Sequence, residues 1–117
     1  EEGGMPLGTM YLDLHPREGK YSHAAHFTVR CGCKVRNKTA DSGSHDATEH
    51  QLPIVALVCN LSSPNSNIGS NSSAILSHPE VETLFHEFGH AMHSLLSRTS
   101  FQHLSGTRAA MDFVETP

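Results

Sequence analysis

His86-Glu87-Phe88-Gly89-His90 is the segment in which residue type and spacing together specify a chemistry. Two histidines at i and i+4 on a helix aim their ring nitrogens at a common point, where Zn–N bonds of about 2.0–2.1 Å form. Glu87 projects roughly 100° around the helix, which suits it to a water held on the ion better than to the ion itself. Zinc lowers the pKa of such a water to about 7, so a carboxylate beside it can take the proton and pass it to a leaving amine. The spacing therefore predicts one Zn2+ on His86 and His90, with Glu87 as general base. Histidine supplies 10 of the 117 residues, so the motif draws its weight from its setting as well as from its letters. It falls mid-helix, on a polar side opposite a clean apolar one.

A catalytic zinc needs a third protein ligand and an open fourth position. His93 is close, but its ring is two turns from His86 and would strain to share the ion. The continuation H-x-x-G-x-x-H is ruled out, because its Gly and His positions are His93 and Leu96 here. The remaining arrangement takes a carboxylate from a following helix. Asp112 and Glu115 are spaced i, i+3, so both can face the first helix. One can bind the metal while the other orients a ligand histidine. Position alone does not say which is which.

The elements that must position these residues are legible in outline. Ser77-His78-Pro79-Glu80 fits a capping box with proline in the first turn, and the helical pattern runs over 77–98. Val81, Leu84, Phe85, Phe88, Met92, Leu95 and Leu96 form its apolar face, predicted to be the buried one. After Gly106, Thr107 can cap a second helix over 107–117. Upstream, Met10–Leu14 and His26–Cys31 alternate like half-buried strands, and the turn at Pro16 and Gly19 lets them pair as a hairpin. Residues 34–50 hold almost no apolar side chain and read as a flexible loop. Leu52–Leu61 reads as a buried strand, and the Ser/Asn-rich stretch 62–76 as a second connection. The strand region is thus 1–61. His15, His23 and His26 read as ordinary surface or turn histidines, and His45 and His50 as part of the polar loop. One strand edge could pair with an extended peptide substrate.

Composition excludes several classes. The net charge is −4, with no basic stripe, which argues against nucleic acid. No apolar run approaches the roughly 20 residues of a membrane span. Three cysteines, Cys31, Cys33 and Cys59, form no disulfide framework and read as free thiols in a reducing compartment. The acidic Glu-Glu-Gly-Gly start does not read as a leader peptide.

Phe85-His86-Glu87-Phe88-Gly89-His90-Ala91-Met92-His93, then Ser105-Gly106-Thr107 and Asp112-Phe113-Val114-Glu115-Thr116-Pro117, resemble the zinc core of the thimet oligopeptidase family. Tyr11–Lys20 and Gln51-Leu52-Pro53 extend the resemblance upstream. His26–Arg30, Arg98-Thr99 and Gln102-His103 are most similar to the family's mitochondrial branch. The resemblance implies a partial catalytic domain: an α+β piece of a mostly helical zincin-type metallopeptidase, with a small sheet on the HExxH helix and a truncated ligand helix after it. It implies that His86, His90 and Glu115 bind one Zn2+, that Glu87 is the base, and that Asp112 supports a ligand. It implies peptides or unfolded precursor proteins as substrates, the rest of a longer peptidase chain as partner, and the mitochondrial matrix as location. A cytosolic oligopeptidase is the alternative within the family, and a truncated, non-catalytic zinc-binding fragment the alternative outside it. The family's downstream tyrosine and histidine, which stabilise the oxyanion, lie beyond Pro117, so the resemblance implies weak or no activity for these residues alone.

Overall fold

A computed structural model describes residues 4–36, 48–63 and 75–116. The elements are β1 (Thr9–Asp13), β2 (Ala25–Arg30), β3 (Cys33–Arg36), β4 (Thr48–Gln51), β5 (Ile54–Val58), α1 (His78–Leu96) and α2 (Met111–Val114), with a 3-10 turn at Gln102–Leu104. This is a small α+β arrangement.

β5 is the centre of a three-stranded sheet in the order β1-β5-β2. It runs parallel to β1, with Met10 opposite Val55 and Leu12 opposite Leu57. It runs antiparallel to β2, with Ala25 opposite Val58 and Phe27 opposite Ala56. The hairpin expected of the first two strands does not form, because the later and more apolar strand lies between them. Both flanks of a β-branched-rich run can be hydrogen-bonded only in a central position. A second correction concerns 34–50. Its ends are the paired strands β3 and β4, with Cys33 opposite Gln51 and Val35 opposite Glu49. The rest of that stretch, including His45, lies outside the described residues, as does most of 62–76.

The core lies between β5 and α1. Val55 packs with Ala91 and Leu95, and Leu57 with Cys59 and Leu61, while Met10 touches both clusters. Val55 and Leu57 are fully buried, which contributes roughly 1.5–3 kcal/mol each. The sheet end is tied by Lys20, whose side chain is only 2% exposed. Its ammonium donates to the carbonyls of Asp13, His15 and Cys59.

α1 begins as expected. Ser77 is the N-cap of a capping box, and the Glu80 carboxylate accepts from the Ser77 N–H at 2.7 Å and its hydroxyl at 2.6 Å. The predicted buried face is corrected. His90, Ala91, Ser94 and Leu95 are buried, whereas Phe85 is 71% and Leu96 55% exposed. The buried stripe is turned about a third of the way around the helix from the apolar one. Ala91 lets the helix approach Val55, Ser94 lies against Gly106, and this rotation brings the His/Glu side toward β2. The second helix also starts later than expected, at Met111, with Ala110 rather than Thr107 at its N-cap. Among the described residues no helix is long and apolar enough to cross a membrane.

Candidate metal centre

α1 and α2 meet at a cluster of three donor atoms. The Nε2 atoms of His86 and His90 are 3.1 Å apart. Glu115 Oε2 lies 3.2 Å from the first and 3.5 Å from the second. Four ligands on a tetrahedral zinc at about 2.0–2.1 Å stand about 3.3 Å from one another. The spacing of these donors therefore fits one tetrahedral ion, and the two-nitrogen, one-oxygen set suits zinc. Burial is graded across the cluster. The His90 side chain is 10% exposed, while His86 and Glu115 are 49% and 45% exposed. One side of the cluster is held against the sheet and the other opens outward, as a fourth, exchangeable position requires.

Glu87 lines the same pocket, of about 280 Å³. Its charge also acts on the Cys59 thiol, which burial first, and then Glu87, pushes above its ordinary pKa. Glu87 thus shares the pocket with the three donors without belonging to the donor set.

The path from α1 to Glu115 is fixed by a pinned turn. Gly106 has φ +62°, a conformation that glycine adopts without strain. Its N–H donates to Ser97 Oγ at 2.9 Å, and Ser105 Oγ donates to the Gly32 carbonyl at 2.7 Å. A four-residue helix then presents Glu115 at its C-cap.

The other candidates separate. Asp112 accepts from the Phe113 N–H at 3.0 Å, and among the described residues it makes no hydrogen bond to either histidine. His93 does not join the donor cluster; its ring sits edge-on to Phe113, with centroids 5.9 Å apart. His15 fits the turn role expected of it, with Nδ1 3.3 Å from the Leu61 carbonyl. His26 departs from expectation, because it lines the pocket beside His90 and Glu87. Burial, then the charges of His90 and His93, push its pKa below the ordinary value and favour the neutral ring. The sequence offered one signal: His26 lies on the Ala25–Arg30 strand, where alternation predicts two faces.

His86 and His90 on α1 and Glu115 at the end of α2 form a group that could hold a metal ion, and the sequence pattern of Peptidase family M3 matches residues 1–117 throughout. The chain belongs to that family. It is 52% identical over 111 residues to the mitochondrial intermediate peptidase of Arabidopsis thaliana, covering 95% of this chain and 14% of that protein. It is 48% identical over 123 residues to the mitochondrial intermediate peptidase of Saccharomyces cerevisiae, covering all of this chain and 16% of that one. The corresponding protein of Aspergillus fumigatus is 39% identical over 135 residues, 17% of its length. The chain thus spans about one-sixth of the curated relatives it matches.

Proposed function

We propose that these residues form the zinc centre of a metalloendopeptidase, with His86, His90 and Glu115 as the ligands of one Zn2+. The convergence of their three donor atoms to within 4.8 Å of one another carries the reading. A zinc ion bound there supplies Lewis acidity and a water whose pKa falls to about 7. The Glu87 carboxylate takes the proton of the attacking water and returns it to the leaving amine nitrogen. His90 is held against the sheet, and the exposed His86 and Glu115 edge admits the peptide.

The names of the relatives support a mitochondrial intermediate peptidase role. In that role the whole protein removes a short N-terminal peptide from precursors imported into the matrix. The exposed Phe85 and Phe88, with Leu12, Leu14 and Leu84, line an apolar groove of about 290 Å³. We assign that groove to the rest of the peptidase chain.

Zinc stoichiometry and affinity, measured with Glu115→Gln and Glu87→Gln variants, test the site. One tightly bound zinc is expected, weakened by Glu115→Gln and retained by Glu87→Gln, which in the whole protein instead loses hydrolysis. Binding indifferent to Glu115 would sink the three-ligand assignment.

A further inference from the structure

Three buried ring nitrogens around this centre have no hydrogen-bond partner among the described residues: His26 Nε2, His90 Nδ1 and His93 Nδ1. Buried polar atoms left in this state are rare and costly. His90 Nε2 belongs to the donor cluster, so Nδ1–H is the outer donor of that ring. A histidine that holds a metal almost always gives this second N–H to a carboxylate, carbonyl or water, which fixes its tautomer and ring orientation. Among the described residues no carboxylate takes that place. Asp112 is engaged by the Phe113 N–H, and Glu115 faces the Nε2 atoms. Across from α1, His26 on β2 shares the pocket with His90. The charges of both His90 and His93 act on it.

We propose that His26 is a positioning residue that holds His90 through one buried water. The His90 Nδ1–H donates to the water, and the water donates to His26 Nε2. A buried water makes about 2–4 hydrogen bonds, and these two nitrogens, both buried and without a partner among the described residues, supply the first two. His90 Nε2 is then left unprotonated and aimed at the metal. This proposal rests on the metal reading of the site.

The test uses the whole protein with His26→Leu, His26→Gln and, as control, His86→Ala. Zinc affinity is read by chelator competition, and site geometry by the visible spectrum of the Co2+ form. His26→Leu is expected to weaken zinc about 10–100-fold and to shift the Co2+ bands. His26→Gln keeps an acceptor and recovers most of the affinity. Wild-type zinc affinity in His26→Leu, with binding abolished by His86→Ala, overturns the proposal and leaves the metal centre standing. Binding that survives both substitutions overturns the metal centre and the proposal with it. A third readout does not need the leucine variant to fold. In 15N-histidine spectra of the zinc form, the His90 Nδ1–H signal is expected to be protected from exchange and to move in His26→Gln. A signal that exchanges freely, or that ignores the glutamine, also overturns it.

Discussion

Replacing Gly106 by alanine should loosen the fold and the metal site together. The φ of +62° at this position costs an L-residue about 1–2 kcal/mol. An added Cβ would also stand 2.6 Å from Ser94 Oγ and 3.2 Å from Ser94 Cα. Overpacking of that kind costs about 1–3 kcal/mol. The combined loss is about 2–5 kcal/mol, read by urea denaturation of the metal-free protein. The same strain displaces the turn that delivers Glu115, so zinc affinity falls as well. Ser94→Ala separates the two contributions. Its hydroxyl has no hydrogen-bond partner among the described residues, so removing it alone is close to neutral. In that background Gly106→Ala should cost less, because the 2.6 Å contact is gone and only the conformational part and the 3.2 Å contacts to Cα and Cβ of residue 94 remain. A loss below about 0.5 kcal/mol, within the range of ordinary surface substitutions, would refute the reasoning. So would a double variant no better than Gly106→Ala alone.

Leu57→Ala empties a fully buried position at the centre of the sheet and should destabilise by about 2.7–5 kcal/mol in the same denaturation assay. Acid should weaken the fold in a defined window. The Arg17 hydrogen bond lowers Asp13 from 3.8 to about 2, and the Ser77 and Ser62 donors lower Glu80 from 4.5 to about 2. Both folded values are depressed, so their stabilisation is complete above about pH 4.5 and is lost as pH falls toward 2; Glu80→Gln should flatten part of that slope in acid titrations followed by circular dichroism. Cys31, Cys33 and Cys59 are free and buried, so a thiol reagent should label none of them quickly until urea is added, then all three. Fast labelling in the native state would contradict the packing of β5.

The approach of His86 to His90 was legible because it depends on local geometry. His86 and His90 are one helical turn apart, and a turn is the same in any helix. The choice of Glu115 over Asp112 was not contained in the i, i+3 spacing. It depends on how the Gly106 turn aims a four-residue helix, which only the assembled chain specifies. The sheet order was missed for a related reason. Alternation identifies strands but not neighbours, and proximity in sequence favoured a hairpin that the central, more apolar β5 displaces. The buried face of α1 was misread because apolar content was taken as a compass. Ala91 and Ser94 pack tightest through smallness, while Phe85 stays outside. His26 was passed over because nothing in its own neighbourhood of sequence marks it; its partners lie more than sixty positions later.

The central place of β5 also constrains how this sheet can be made on a ribosome. Met10 has its partner in Val55, and Thr28 is likewise paired to Val55 from the other side. Both outer strands therefore leave the exit tunnel before the strand that joins them. At about 5–20 residues per second, the wait lasts a few seconds. During it, both outer strands present edges that β5 has not yet filled. The pairing suggested by sequence proximity, wrong in the finished fold, is open to the nascent chain in that interval. Synthesis of β5 must then insert between them or find them still apart. Chaperone engagement with this stretch should therefore peak before Ile54 emerges and fall once Leu61 has cleared.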